Sequence, residues 1–346
     1  PFGLPAATQK DRPRGLPPRL ALSPRHTSYL KIAEGCSNCC AYCVIPSIRG
    51  PYRSVPMEDV VREAEALAAE GCKELVLIAQ DVTYYGKDLY GDFALPELLR
   101  RLCAARGAKS IEWIRLLYCY EERITDELIR AMASEPRILH YIDIPLQHID
   151  ADILRRMNRK STPGSIRATI ARLRAAMPDI VIRTAFITGL PGETEEAFEA
   201  LCEFAEETRF GRLGVFAYSR EEGTAAAEMP DQVAPEVAAA RADGLMHVQQ
   251  GISLSQNEAL VGTVLDVIVD GLEGGAEGAG ECEGECEGAG EIVYLGRTRG
   301  DAPEIDNAVI FTAKDMEKGN AGGLTGKIVK ILVTDAMDYD LVGVVQ

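Results

Sequence analysis

The feature that most constrains the fold is a regular alternation of short apolar segments and amphipathic helical segments between residues 28 and 218. Helical segments are predicted near 56–71, 95–106, 125–134, 163–177 and 194–208. Strands that are apolar on both faces and alternate with helices form a parallel sheet covered by helices. Six units fall short of the eight that close a full barrel, so the pattern predicts an α/β fold with an open, partial (β/α)6 barrel. The six predicted strands are 29–33, 74–79, 111–117, 140–144, 180–187 and 212–218.

A long helical segment over 235–260 precedes a change in pattern at Gly262. After it, short β segments alternate with Gly and Asp, which predicts a small all-β domain. We therefore expect a linker remnant at 1–21, a core domain at 22–252 and a β domain at 255–346. The predicted strands of the β domain are 263–269, 292–295, 308–311 and 327–333.

An acidic segment at 271–291 interrupts the first predicted hairpin of the β domain. It holds seven Glu and no basic residue, and it consists mainly of Gly and Glu. Such a composition has almost nothing to bury, so we expect this segment to be disordered. Cys282 and Cys286 have the spacing of metal ligands, but no Cys or His lies near them in sequence outside the segment, and we do not predict a metal site there.

Charge and hydropathy exclude several classes of protein. The formal net charge is −16, and a general nucleic-acid binder needs clustered Lys and Arg instead. No apolar run approaches the ~20 residues of a membrane helix, and no signal peptide opens the chain. We therefore expect a cytoplasmic protein with no membrane partner. Because the first residue is Pro1 rather than Met, we also expect further sequence upstream.

The candidate metal ligands are Cys36, Cys40 and Cys43, which follow the first predicted strand in the sequence CSNCCAYC. In parallel α/β folds, ligands bind at the carboxyl ends of the strands. Three thiolates can hold three irons of a 4Fe–4S cluster and leave the fourth iron open. The amine and carboxylate of S-adenosylmethionine can chelate that iron. A structural zinc site would need a fourth Cys or His, and Cys39 is too close to Cys40 in sequence to reach the same metal easily.

Five further residues are candidates for binding the cofactors. Tyr42 lies between the last two cysteines and is predicted to pack beside the cluster and shield it from water. Asp81, Gln147, Gly189 and Glu193 follow other predicted strands, at the edge where S-adenosylmethionine would lie. The alternative is structural, because Asp81 and Glu193 can cap the next element and Gly189 can simply form a tight turn.

Several segments resemble the radical-SAM methylthiotransferase family. The β domain resembles the TRAM domain that ends those enzymes, and the resemblance covers about residues 22–346 apart from the acidic segment. The sequence after the fourth strand, PLQH, and DAPEID at 301–306 are similar to the RimO-type branch, which methylthiolates an aspartate of ribosomal protein twelve of the small subunit. The matching segments are YLKIAEGCSNCCAYCVIPSIRGPYRS, ELVLIAQD, IRLLYCY, DIPLQH, FITGLPGETEEAFE, LGVFAYSREEGTAAAEM, GRTRGDAPEIDNAV and DYDLVG.

The resemblance implies an enzyme that removes a hydrogen atom from an aspartate β-carbon with a 5′-deoxyadenosyl radical and inserts a methylthio group. It implies a 4Fe–4S cluster, S-adenosylmethionine and a low-potential electron donor such as flavodoxin or ferredoxin. The family also has an N-terminal domain with a second 4Fe–4S cluster that donates sulfur, whereas no cysteine precedes Cys36 here. Family members tend to have a basic or polar residue where Cys39 stands.

Charge bears on the partner that the resemblance implies. Residues 262–346 contain six Lys or Arg and seventeen Asp or Glu. An acidic domain attracts a basic ribosomal protein and repels tRNA. Two alternatives stay open from the sequence, namely a tRNA methylthiotransferase and an inactive cluster-binding fragment that serves as a ribosome-binding module.

Overall fold

The computed structural model describes residues 24–273, 292–313 and 323–346. The predicted linker at 1–21 and residues 274–291 of the acidic segment, with Cys282 and Cys286, lie outside this range. No helix within the described ranges combines the length and the apolar character needed to cross a membrane.

The elements of the first part of the chain follow the predicted alternation. Strand and helix bounds lie within a few residues of those expected from the sequence. The elements are, in order, β1 (Thr27–Lys31), β2 (Ala33–Glu34), α1 (Ile45–Arg49), β3 (Arg53–Ser54), α2 (Met57–Ala69), β4 (Glu74–Ile78), α3 (Lys87–Tyr90), α4 (Leu95–Ala104), β5 (Trp113–Leu116), α5 (Asp126–Ser134), β6 (Ile138–Asp143), α6 (Ala151–Arg156), α7 (Pro163–Ala176), β7 (Val181–Thr188), α8 (Glu195–Thr208), β8 (Arg212–Ala217) and α9 (Pro235–Glu258).

The central sheet has six strands in the order β1-β4-β5-β6-β7-β8, and every neighbouring pair is parallel. Because β1 and β8 do not pair with each other, the barrel is open, which confirms the predicted fold class. Strands β2 and β3 form a separate two-stranded sheet beside it. Leu75 and Leu77 of β4 are fully buried in the core between sheet and helices. Val76 lies on the opposite, concave face with Trp113 and Tyr141.

Side-chain caps explain where several helices begin. Thr125, Asp150, Thr162 and Thr194 each accept hydrogen bonds from backbone N–H groups in the first turn of α5, α6, α7 and α8. Such caps satisfy donors that the helix itself leaves unpaired. In α7 the cap is a reciprocal capping box, in which the Ser165 side chain accepts from the Thr162 N–H.

The second part of the chain is a closed five-stranded barrel with the order β10-β11-β13-β12-β9. Helix α9 runs without a break through the boundary predicted between 252 and 255. The strand β13 is not among the predicted segments. The barrel strands are β9 (Val264–Leu272), β10 (Ile292–Thr298), β11 (Val309–Ala313), β12 (Ile328–Ala336) and β13 (Leu341–Val345).

A buried ionic network joins the barrel to the sheet. Both oxygens of the Glu74 carboxylate are used, since Oε1 lies 2.8 Å from Arg115 Nε and Oε2 lies 2.8 Å from an Arg297 Nη. Arg297 also binds Asp270 of β9. The Glu74 and Arg115 side chains are completely buried. Glu74 is the first residue of β4, so the network lies toward the amino-terminal end of that strand, opposite the edge where ligands are expected.

The segment 299–307 of the barrel covers the concave face of the sheet at that same end. Asp306 accepts hydrogen bonds from the Tyr141 hydroxyl (2.6 Å) and from Arg183 Nε (3.1 Å). Asp301 accepts from Arg212 Nε at 2.8 Å. Part of the DAPEID sequence, which suggested the family branch, therefore forms the contact between the two domains.

Shortening the acidic segment is expected to leave stability nearly unchanged. Its described ends are already adjacent, since Leu272 pairs with Tyr294 and Glu273 N–H donates to Val293 O at 3.1 Å. Loop-closure entropy depends only weakly on loop length. Replacing 274–291 by Gly-Gly should therefore change the free energy of unfolding by less than about 1 kcal/mol. Denaturant titration checks this, and a loss of several kcal/mol would contradict the predicted disorder.

Candidate metal centre

The cysteine-bearing loop lies at the carboxyl end of β1 and is fixed by backbone contacts. It starts at Gly35, whose φ is +81° and where a Cβ would lie 2.3 Å from Pro51 O, so a side chain there would clash. Cys36 N–H donates to Gly50 O, and Ala41 N–H donates to Met157 O. The loop therefore has a defined shape before any cofactor is considered.

Asp81 holds the same loop through its side chain. Its buried carboxylate accepts hydrogen bonds from Asn38 Nδ2 (2.9 Å), an Arg123 Nη (2.7 Å) and Thr83 Oγ1 (2.5 Å). Arg123 also donates to Asn38 Oδ1 at 2.8 Å. Asp81 was predicted to bind the cofactor, and the structure places it beside the cysteine loop. Protein groups engage both of its oxygens and connect it to the loop, and direct binding of the cofactor by Asp81 stays a prediction.

The four cysteines of the loop differ in exposure. Cys36, Cys40 and Cys43 are partly buried and Cys39 is exposed, and none of them forms a disulfide. Burial raises the pKa of the Cys36 thiol, with a smaller contribution from the Asp81 carboxylate, and burial also raises the pKa of Cys43. A bound metal displaces such protons, because only the thiolate is a ligand.

The grouping of side chains tests the zinc alternative. Three ligands of one zinc ion lie about 4 Å apart, whereas the thiolates of a cubane bind different irons. In the described part of the chain, no three or more His, Cys, Asp or Glu side chains are grouped to hold a metal ion. The described side chains therefore provide no grouped ligand set for a single zinc ion.

An arginine and two tyrosines surround Cys40. The Tyr120 hydroxyl lies 3.5 Å from Cys40 Sγ, and the Arg159 guanidinium lies 4.1 Å above the Tyr120 ring. Arg159 is buried, donates to Pro145 O at 3.0 Å, and leaves its Nε without a hydrogen-bond partner among the described residues. Burial raises the pKa of Tyr42 and of Tyr120, so both hydroxyls are neutral. The buried Arg159 guanidinium thus places a positive charge beside the cysteine loop.

Tyr42 also packs against apolar residues. It contacts an apolar cluster that also contains Tyr218, and this cluster joins the cysteine loop to the ends of β7 and β8. The predicted role of Tyr42 in shielding the cluster from water stays a prediction. The buried members of the cluster are Ala41, Ile153, Met157, Leu190 and Ala226.

Two residues at neighbouring strand ends have a left-handed backbone. Tyr118 after β5 has φ +61° and Gln147 after β6 has φ +71°, a conformation that costs energy for residues other than Gly. Backbone bonds hold Gln147 there, since its N–H donates to Ala185 O and its carbonyl accepts from Ile187 N–H. Its side chain is partly exposed at the edge of the sheet that carries the cysteine loop.

Gly189 and Glu193 contact each other. Glu193 Oε2 accepts from Gly189 N–H at 2.9 Å, and Oε1 accepts from an Arg241 Nη at 2.8 Å. Asp150 N–H donates to His148 Nδ1, so the proton of His148 is assigned to Nε2. This Nε2 atom lies 3.5 Å from Glu193 Oε2. Although burial raises the pKa of Glu193, these donors hold it below its usual value. These contacts hold the turn after β7, and cofactor binding by Gly189 and Glu193 stays a prediction.

Sequence reasoning missed the residues that support the cysteine loop. They are distant in sequence, and Arg123 and Asn38 are 85 residues apart. Asn38 lies within the cysteine motif itself, which is a usable signal, but the local sequence around the others carries none. The missed residues are Asn38, Tyr120, Arg123 and Arg159.

Comparison with protein families matches residues 30–205 to the Radical SAM superfamily and residues 261–345 to the TRAM domain. "Ribosomal protein uS12 methylthiotransferase RimO" of Geobacter sulfurreducens is 50% identical over 325 residues, which cover 94% of this chain and 67% of the relative. The protein of the same name from Lachnoclostridium phytofermentans is 49% identical over 319 residues, 92% of this chain and 67% of the relative. The chain belongs to the radical-SAM methylthiotransferase family.

Membership implies use of a 4Fe–4S cluster and S-adenosylmethionine. The chain spans about two thirds of the length of these relatives. A solved radical SAM enzyme, coproporphyrinogen III oxidase (HemN) from Escherichia coli, aligns with 66% of this chain and 53% of its own at 18% identity. Its TM-score of 0.49 is too low to add to the assignment.

A substitution at Asp81 separates a positioning role from direct cofactor binding. Asp81→Asn removes the charge that pairs with the partly buried Arg123, and breaking such a pair costs about 3 kcal/mol. We expect lower thermal stability and faster loss of iron from the reconstituted protein. If the variant retains stability and iron but binds S-adenosylmethionine more weakly, Asp81 contacts the cofactor instead. Asp92→Asn, on the exposed segment after α3, is the control.

Proposed function

We propose that this chain catalyses methylthiolation of the β-carbon of an aspartate in ribosomal protein uS12. The observation that carries the proposal is the 50% identity to a uS12 methylthiotransferase, which spans both the radical-SAM core and the β-barrel. The cysteine loop, at the carboxyl ends of the strands, is the proposed site of the chemistry.

Three thiolates, those of Cys36, Cys40 and Cys43, are the proposed cluster ligands. The cluster and S-adenosylmethionine together supply a 5′-deoxyadenosyl radical, which is able to take a hydrogen atom from an aliphatic carbon. The protein holds the ligands in place through Asp81 and keeps water from one side of the loop through Tyr42. The exposed Cys39 has no part in this ligand set.

Two glutamines are the proposed contacts to S-adenosylmethionine. Gln80 Oε1 is buried and has no hydrogen-bond partner within the described structure, and such an acceptor calls for a donor. Gln80 lies two residues after the end of β4 and Gln147 lies four residues after the end of β6, so both lie beyond the carboxyl ends of these strands, at the edge that carries the cysteine loop. Gly189 and Glu193 support the same edge by fixing the turn after β7.

The β-barrel favours a basic protein as the partner. Its described residues contain four Lys or Arg and nine Asp or Glu, and a negative surface attracts a basic ribosomal protein while it repels tRNA. An enzyme that modifies this ribosomal protein would work in the cytoplasm. It would take its electron from a low-potential donor such as flavodoxin or ferredoxin.

Mass spectrometry of two substrates tests this proposal. Anaerobically reconstituted protein, joined to the N-terminal domain of a methylthiotransferase relative to supply sulfur, is incubated with purified uS12 and with tRNA. We expect a methylthio group on one aspartate of uS12 and none on tRNA. Modification of tRNA alone would contradict the proposed substrate.

A further inference from the structure

Strand β8 has a free edge. It is the last strand of the sheet, and no described strand pairs with its outer side. Tyr218 N–H, just beyond the strand, donates to Thr188 O of β7, and backbone groups along a parallel strand alternate between its two sides. Leu213 and Val215 therefore direct their N–H groups away from β7, toward the free edge.

A groove of about 390 Å³ lies beside this edge. One wall is β8, and a second is a face of α9 formed by Met246, Gln249 and Ser253, which are spaced as neighbours on one side of a helix. The barrel supplies the third wall with Ile305 and Tyr339. The groove thus runs between the two domains.

The rim of the groove is apolar and exposed. Phe216 is 57% exposed, Ile305 is 46% exposed and Tyr339 is 36% exposed, and all three line the same groove. Exposed apolar side chains that come together from separate segments mark interaction sites. The three residues belong to both domains, so an occupant would contact the core and the barrel together.

Polar atoms without partners also belong to residues that line the groove. Gln249 and Ser253 are each 1% exposed. Gln249 Oε1, Ser253 Oγ and Asn307 Nδ2 have no hydrogen-bond partner in the described structure. Buried polar atoms of this kind are costly unless they are paired. An amide-rich occupant such as a polypeptide backbone offers both donors and acceptors for them after small side-chain movements.

We propose that an extended segment of the basic ribosomal substrate protein binds in this groove and pairs with the free edge of β8 as an added strand. This inference rests on the proposed function. Glu304 and Asp338 directly precede Ile305 and Tyr339, so acidic side chains flank the apolar rim. A basic segment fits this combination of charge and apolar surface.

The cations in the groove wall do not oppose a basic occupant. Arg183 is paired with Asp143 and Asp306, and Arg212 is paired with Asp301. Each guanidinium charge is therefore balanced within the protein. The remaining charge that an incoming segment meets comes from the acidic side chains of the barrel.

The groove leads to the cysteine loop. Beyond the end of β8, Tyr218 packs in the same apolar cluster as Tyr42, and Ala226 N–H donates to Ala41 O at 2.8 Å. A six-residue strand is about 20 Å long, so a segment paired along β8 reaches from the domain interface to the edge where the cluster binds. The groove selects the substrate, and the cysteine loop acts on its end.

Binding measurements with matched variants test the groove. The dissociation constant for purified uS12 is measured by calorimetry with the reconstituted full chain. We expect Phe216→Ser and Ile305→Ser each to raise it about tenfold or more, as interface hot spots do. Leu89→Ser, on α3 at the opposite side of the sheet and 39% exposed, should change it less than twofold. Glu304→Lys should weaken binding, whereas Glu70→Lys, at the end of α2, should not.

Hydrogen exchange gives a second readout that needs no substitution. Added uS12 should protect amides of 212–217 and of 304–307.

Three outcomes would overturn the groove proposal. In the first, uS12 binds and is modified, but these amides stay unprotected and the groove variants bind normally. The groove proposal is then wrong and the proposed function stands. If the chain neither binds nor modifies uS12, the proposed function fails and the groove proposal falls with it. Protection of 212–217 by a second copy alone, with a dimer in light scattering, would also overturn it.

Discussion

Cys36→Ala, Cys40→Ala and Cys43→Ala are each expected to abolish the broad iron–sulfur absorbance near about 400 nm of anaerobically reconstituted protein. A cubane held by two thiolates is poorly retained, and each of these thiols is partly buried on the ordered loop. Iron and sulfide analysis of the desalted protein measures the same loss. Release of 5′-deoxyadenosine from S-adenosylmethionine should disappear with the cluster.

The neighbouring cysteine is the matched control for these variants. Cys39→Ala removes a thiol from the same loop, but this thiol is exposed, and the variant should keep both the absorbance and the iron content. Loss of the cluster in the Cys39 variant, with retention in one of the other three, would contradict the proposed ligand set.

Glu74→Gln is expected to destabilise the protein by about 3–5 kcal/mol. The substitution keeps the shape of the side chain but removes the charge that pairs with Arg115 and Arg297. Arg115 also stacks on the Tyr141 ring at 4.5 Å and has no route to solvent. Because these residues join the sheet to the barrel, the loss should appear in unfolding of both domains. Guanidinium unfolding, followed by circular dichroism, measures it.

An exposed ion pair beside the network provides the control. Lys73 and Glu112 are both substantially solvent-exposed, with N and O atoms 2.9 Å apart, and exposed pairs contribute about 0–1 kcal/mol. Glu112→Gln should therefore have little effect. If Glu74→Gln costs no more than Glu112→Gln, the buried network does not hold the two domains together.

The fold of the core was predictable because its strands are apolar on both faces. Segments such as 74–79 and 180–187 contain runs that only a buried parallel sheet accommodates, and capping residues such as Thr194 mark where the helices begin. Strand β13 was missed because it is short and follows the polar sequence DYD. Its pairing with β11 and β12 depends on closure of the barrel, which local pattern does not encode.

For the candidate site, the sequence predicts only the candidate ligands. The CxxxCxxC spacing points to Cys36, Cys40 and Cys43, and their role as cluster ligands stays a prediction. The charged and aromatic residues that support the loop come from segments after other strands, and only the fold brings them together. The role of Asp81 shows this limit, because its place at the site was predicted but its hydrogen-bond partners were not.

The ionic contact between the domains has a signal in the sequence, namely charged residues within apolar strands. Glu74, Arg115 and Arg183 are charged residues inside otherwise apolar strands. A charge at such a position needs a buried partner, so each one predicts a contact on that face of the sheet. The partner segment at 297–306 could not be found without the structure, because it lies in the other domain.

Transfer of deuterium from substrate to cofactor product tests the central claim most directly. Purified uS12 carrying aspartate deuterated at the β-carbon is incubated with reduced, reconstituted enzyme and S-adenosylmethionine, and the 5′-deoxyadenosine is analysed by mass spectrometry. The proposed function predicts deuterium in the 5′-deoxyadenosine, and predicts none with the Cys40→Ala variant. Unlabelled 5′-deoxyadenosine from the intact enzyme, under conditions in which uS12 is bound, would contradict hydrogen removal from that aspartate.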